Sequence, residues 1–139
     1  MMSRLLHLWP LWLAAVAVIG FAARRGAATG SDADSVTVQQ LDAMRQQVDG
    51  PVLIDVRTPE EFAAGRAVGA ILVPLDTIQK ERDRLTKVAG GKSLALICRS
   101  GHRSQRAAEI LKAAGYMGKI YNVSGGTNAW QQAGLPIER

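Results

Sequence analysis

Leu94-Ala95-Leu96-Ile97-Cys98-Arg99-Ser100-Gly101-His102-Arg103-Ser104 is the stretch that decides the reading of this chain. An apolar run ends at Cys98, and a run with helical periodicity begins near Ser104. The apolar run has the length and composition of a strand buried on both faces. A thiol at a strand-to-helix turn faces the loop's backbone N–H groups and the positive end of the helix dipole. Both favour thiolate over thiol, and the thiolate is the nucleophilic form. A lone cysteine is often an inert, buried small hydrophobe. The basic, glycine-containing run of Arg99, Ser100, Gly101, His102, Arg103 and Ser104 points instead to a catalytic Cys98 in an anion-binding loop.

Apolar runs alternate with helical patterns on both sides of this stretch. Val36-Thr37-Val38 predicts a short strand, and Val38 to Gln47 a helix with Val38, Leu41, Met44 and Val48 near helical spacing. Asp49-Gly50-Pro51 is a turn, and Val52 to Arg57 predicts a buried parallel strand with polar residues only at its carboxyl end. Thr58-Pro59-Glu60-Glu61 is a helix start, with a capping Thr, Pro at the first position and Glu at the third. Ile71-Leu72-Val73 predicts a third strand closed by Pro74, and Asp76 to Val88 a helix turning Ile78, Leu85 and Val88 inward. Ser93 to Ile97 is the strand before Cys98, and Ser104 to Ala114 a helix ended by Gly115. Lys119 to Val123 is a further strand, and Ser124-Gly125-Gly126-Thr127 leads into a short helix through Trp130. Trp130 reads as a packing residue.

Strands separated by helices imply parallel βαβ units and an α/β fold. Ligands of such sheets bind beyond the carboxyl ends of the strands. Cys98, Asp55, Arg57 and the Gly125-Gly126 turn all follow strand ends and are expected to gather at one edge.

The amino terminus differs in kind. Leu5 to Ala23 contains no charged residue and is flanked by Arg4 and by Arg24-Arg25. Its length suits a membrane-spanning helix, with Trp9 and Trp12 at an interface. Residues 1–28 thus read as a transmembrane anchor, or as a signal peptide cleaved after Gly26-Ala27-Ala28. Residues 29–35 are a polar linker, and 36–139 the folded domain. Arginines at both ends leave the side of the membrane open, and cleavage would give an exported or periplasmic domain.

Composition narrows the classes. One cysteine excludes an internal disulfide framework, and with only His7 and His102 a zinc site has too few ligands. Of 17 basic residues, Arg4, Arg24 and Arg25 lie within residues 1–28, leaving 14 against 12 acidic in residues 29–139, a charge of +2. No basic run interleaves with aromatics, which argues against nucleic-acid binding.

Four segments together resemble the single-domain rhodanese family of sulfurtransferases: IDVRTPEEF at 54–62, GAILVPL at 69–75, CRSGHRS at 98–104 and NVSGGTNAWQQAGLPI at 122–137. The resemblance implies a five-stranded parallel sheet flanked by helices on both faces, and no cofactor or metal. It also implies that Cys98 takes the outer sulfur of a small anionic donor such as thiosulfate, forming a persulfide. A thiol, cyanide or an acceptor protein then removes that sulfur.

Within this frame Gly101 allows close backbone approach or a positive φ. Arg99 and His102 set the potential at the entrance. Arg103 has two roles open, ligand of the donor anion or brace of the loop. Asp55 and Arg57 either position the loop through an ion pair or form a plain salt bridge. Two departures stand out. Gly65-Arg66-Ala67-Val68-Gly69-Ala70 replaces the usual Gly-His-Ile-Pro-Gly-Ala, leaving the rigidity of that connection open and placing Arg66 near the approach to the site. His102 stands where asparagine is frequent. A redox-sensing or protein-binding module on the same fold is the alternative from another class. Cysteine phosphatases and arsenate reductases need a longer loop with Arg six positions after Cys, where this chain has Ser104.

Overall fold

The computed structural model describes residues 33–139; the apolar segment at 5–23, with its anchor or signal reading, and most of the linker lie outside the described residues. Strands and helices follow in the order β1 (Asp34–Val36), α1 (Val38–Arg45), β2 (Val52–Asp55), α2 (Pro59–Ala64), β3 (Arg66–Ala67) and β4 (Ile71–Leu72). A 3₁₀ turn at Leu75–Thr77 precedes α3 (Arg82–Ala89), β5 (Leu94–Ile97), α4 (His102–Ala113), β6 (Ile120–Val123), α5 (Gly126–Gln132) and β7 (Ile137–Glu138). The main sheet has five strands in the order β1-β6-β5-β2-β4. Every pairing in it is parallel. Among the described residues no helix is long and apolar enough to cross a membrane.

The two-residue period of β5 divides the core. Leu94 and Leu96 join Ile54, Ile78, Leu85, Ala107, Ala108 and Leu111, under α3 and α4. Ala95 and Ile97 point the other way, to Leu41, Leu53, Val123 and Trp130, under α1 and α5. Because both faces are covered, β5 is apolar throughout, as its sequence implied.

The Thr58 cap is as expected: its side chain accepts from the Glu61 N–H, and the Glu61 side chain returns to the Thr58 backbone. Thr37 and Gln40 form the same box at α1, which ends β1 at Val36 and starts that strand ahead of the expected residues. The helix expected from Asp76 to Val88 is divided. The Leu75 N–H is held by the Val56 carbonyl and the Thr77 hydroxyl by Pro74 O, so a tight turn follows the sheet and α3 begins only at Arg82. Ile78 and Leu85 are buried as expected, while Ala89 rather than Val88 completes the inward face.

The segment that departs from the family pattern is tied by strand pairing. Arg66–Ala67 pairs antiparallel with Ile137–Glu138, a contact between segments too short to show a sequence period. The Arg45 guanidinium donates to Val68 O at 2.6 Å. Arg66 does not reach into the approach to Cys98: its guanidinium lies 4.5 Å from the Phe62 ring centroid and pairs with Glu138 at 3.3 Å.

Candidate active site

Cys98 is the first residue past β5, and its loop is shorter than expected, since α4 begins at His102 rather than Ser104. Gly101 occupies the helix-capping position with φ of 105°, the left-handed region where a side chain would be strained. That conformation turns the Gly101 N–H to Cys98 Sγ at 3.0 Å. The Ser104 hydroxyl lies 3.3 Å from the same sulfur. Cys98 is 1% exposed. Burial pushes its pKa up, but hydrogen bonds from the Ser104 hydroxyl and from the N–H groups of Ser104, Gly101 and Ser100 outweigh it. The balance falls below the ordinary thiol value, which favours a nucleophilic sulfur.

The carbonyls of the same loop point to α5. Cys98 O accepts from the Thr127 N–H at 2.8 Å and the Thr127 hydroxyl at 3.0 Å, and Arg99 O accepts from the Asn128 N–H at 3.1 Å. With both carbonyls held there, the N–H groups that follow are left for the sulfur. Gly126 makes this contact feasible: a Cβ on it would stand 2.4 Å from Cys98 O. The Gly125-Gly126 turn therefore packs directly on the Cys98 backbone, at the edge where strand ends were expected to converge.

Arg103 pairs with Glu61 of α2, the geometry that a brace requires. Its two terminal nitrogens lie 2.6 and 2.8 Å from the two oxygens of Glu61. That pairing, opposed by partial burial and helped by the Thr58 N–H, holds the Glu61 carboxyl down to about 2. Asp55 and Arg57 form a buried pair, with Nη2 of Arg57 at 2.7 Å from Asp55 and at 2.8 Å from Gly65 O. This is no surface salt bridge; it fixes the end of α2, and through α2 the position of Glu61. Arg99, Ser100 and His102 are exposed at the mouth of the loop.

Two clefts flank the Arg103–Glu61 pair and share Arg57 as a wall. The smaller, about 260 Å³, lies between Glu61, Arg99 and Asn128. The larger, about 610 Å³, lies on the side of Arg103, Arg106 and Asp76. Sequence reasoning missed Glu61 as a site residue, because its place in the capping box already explained it. It also missed Asn122, which sits 2.5 Å from Ser104 Oγ beneath the loop. A polar residue inside an otherwise apolar strand was the available signal for Asn122.

A buried thiol with a lowered pKa, at the carboxyl edge of a parallel sheet and facing loop N–H donors, defines an α/β protein with a polarised cysteine in a strand-to-helix loop. The sequence matches the Rhodanese-like domain family over residues 37–133, and the chain belongs to that family. It is 35% identical over 107 residues to a sulfurtransferase of Allochromatium vinosum, covering 77% of this chain and 94% of that protein. It is 42% identical over 94 residues to the chloroplastic thiosulfate sulfurtransferase 16 of Arabidopsis thaliana, covering 61% of this chain and 78% of that one. A rhodanese-like domain protein of Staphylococcus aureus superposes with a TM-score of 0.61 at 34% identity, over 76% of this chain and 99% of that one. The domain is thus sulfurtransferase-like, of the rhodanese family.

Proposed function

We propose that this domain moves sulfane sulfur from a small anionic donor such as thiosulfate to a thiol or cyanide acceptor through a persulfide on Cys98. The observation that carries the reading is the ring of donors around Sγ, from Gly101 N–H at 3.0 Å and Ser104 Oγ at 3.3 Å. In the first half-reaction the Cys98 thiolate attacks the donor's outer sulfur. The donor's S–S bond breaks, and sulfite leaves with the electron pair. The negative charge then resides on the outer sulfur of Cys98–S–S⁻. In the second half-reaction the acceptor attacks that outer sulfur, the S–S bond breaks, and the Cys98 thiolate returns. No oxidant or reductant is consumed, and two separate half-reactions give ping-pong kinetics. The near-complete burial of Cys98 favours a donor whose reacting atom is small and terminal. The names of the Allochromatium and Arabidopsis relatives support the same chemistry.

The test is the intact mass of the full chain after brief exposure to thiosulfate, beside Cys98→Ser. The expected result is a gain of one sulfur atom, absent from the variant and reversed by cyanide or a thiol. A folded protein with an alkylatable Cys98 that takes no sulfur from thiosulfate or other sulfane donors would overturn the reading.

We also propose that residues 5–23 tether the domain to a membrane, which would confine its acceptors to one surface. The uncharged run between Arg4 and Arg24 supports this. Membrane association that survives an alkaline wash in the full chain, and disappears when 5–23 is deleted, is the expected outcome. A mature protein beginning at Thr29 would instead establish a cleaved leader.

A further inference from the structure

Beneath the loop lies a buried hydroxyl with one proton and three acceptors in reach. Ser104 Oγ is 3.3 Å from Cys98 Sγ, 3.2 Å from Gly101 O and 2.5 Å from Asn122 Oδ1. A hydroxyl donates once. Gly101 O already accepts from the Gln105 N–H at 3.3 Å and from Asn122 Nδ2 at 3.2 Å. The proton is therefore contested between the sulfur and the Asn122 oxygen. The bond from Nδ2 to Gly101 O fixes the amide, so that its oxygen, not its NH₂ group, faces Ser104.

We propose that Asn122 is a positioning residue for sulfur transfer: its side-chain oxygen accepts the Ser104 hydroxyl's hydrogen bond when Sγ is uncharged and gives that bond up to Sγ when Sγ is a thiolate. The inference rests on the persulfide reading of Cys98. As a thiolate, Sγ is a charged acceptor and attracts the hydroxyl strongly. Once the donor's sulfur is attached, the charge sits on the outer atom and Sγ becomes a weak, two-bonded acceptor. A buried hydroxyl with no acceptor carries a desolvation penalty. Asn122 removes that penalty in the persulfide state, so one small rotation of the hydroxyl serves both half-reactions. Only hydrogen bonds change partners in this step.

The charged groups around the cluster are those of the loop and its braces. Arg103 feels the sulfur and is paired with Glu61, with Asp55 adding to its field. Asp55 is itself paired with Arg57. Arg99 and His102 are exposed at the mouth, and β6 and α5 contribute the uncharged Asn122 and Thr127. Substitution at Asn122 leaves every one of those charges in place.

The experiment is the pH profile of Cys98 alkylation by iodoacetamide in the full chain, which has no other cysteine. Asn122→Leu removes the short-range acceptor that favours the uncharged thiol, leaving the Ser104 hydroxyl the sulfur and the more distant Gly101 O, and is expected to lower the alkylation midpoint by about half a pH unit. Ser104→Ala is expected to raise it, and Asn122→Leu added to Ser104→Ala to shift nothing further. A folded Asn122→Leu protein with an unchanged or raised midpoint would overturn the proposal, as would the same shift in both backgrounds. Should Asn122→Leu not fold, the near-isosteric Asn122→Asp decides. It is expected to raise the midpoint, and to do so less once Ser104 is alanine. An equal rise in both backgrounds is plain charge repulsion and overturns the proposal. Alkylation needs no sulfur donor, so the expected midpoint shifts in a protein that forms no persulfide would sink the transfer reading and leave the exchange of the Ser104 hydrogen bond standing.

Discussion

Arg103 and Glu61, 42 residues apart in sequence, meet in a two-bond ion pair with distances of 2.6 and 2.8 Å. The same carboxylate closes the cap of α2, where Glu61 Oε1 lies 3.2 Å from the Thr58 hydroxyl. One side chain thus joins the start of α2 to the first turn of α4, directly after the loop that carries Cys98. The orientation of that loop is set from outside it.

The pair makes stability depend on pH in a defined direction. Glu61 is lowered from 4.5 to about 2, chiefly by the Arg103 hydrogen bonds, so it binds its proton more weakly folded than unfolded. Its contribution is complete above 4.5 and is lost as the pH falls toward 2. Glu61→Gln cannot titrate. Thermal melts should show the variant less stable than the parent near neutrality, with the difference shrinking across that acid interval. A difference that grows on acidification would contradict the assignment.

Arg103 as a brace differs measurably from Arg103 as a donor ligand. Arg103→Lys keeps the charge and loses the planar fork. Loss of one charge-assisted bond is expected to lower kcat for thiosulfate roughly tenfold, with a smaller change in KM. Glu61→Gln should reproduce the defect, and the double variant should be little worse than either single one. A pure KM effect in Arg103→Lys with normal kinetics in Glu61→Gln would assign the arginine to the donor instead.

Gly126 and Gly134 offer a matched pair. Both have positive φ, at 55° and 68°, but an added Cβ at Gly126 meets Cys98 O at 2.4 Å whereas at Gly134 it meets nothing within 4 Å. Gly134→Ala should cost about 1 kcal/mol of backbone strain and leave sulfur transfer intact. Gly126→Ala should cost more than that and should also depress turnover, because α5 must retreat from the carbonyls it holds. Denaturant unfolding and thiosulfate kinetics on both variants check this; equal stability losses with full activity would refute it.

The Asp55–Arg57 pair is buried at 0% and 6% exposure, so removing one partner strands the other. Arg57→Leu is expected to lose about 3–5 kcal/mol in urea unfolding, since it leaves Asp55 buried and Gly65 O without its donor. A loss within 1 kcal/mol, typical of an exposed pair, would place Arg57 outside the frame of the site.

Much of this was legible beforehand because it depends on neighbours in sequence. The unbroken apolar run at 94–97 could only suit a strand covered on both faces, and Thr58-Pro59-Glu60-Glu61 carries its own capping chemistry. Asp76 to Val88 misled because its helical spacing is real, yet Leu75 is bonded to Val56, the residue after β2, and the first turn cannot join α3. The β3–β7 pair was invisible, since two residues have no period and their register comes from segments about seventy positions apart.

The sequence by itself determined the alternation of strands and helices, the caps, and the place of Cys98 at a strand end, because local spacing and backbone geometry suffice for these. Only the tertiary structure decided that Arg103 faces Glu61, that Cys98 Sγ and Asn122 Oδ1 both lie within reach of the Ser104 hydroxyl, and that α5 holds the loop's carbonyls. Those relationships exist only once the sheet order sets β6 beside β5 and the helices cover its faces. Hydrogen bonds between distant segments leave no periodic trace in the chain that makes them.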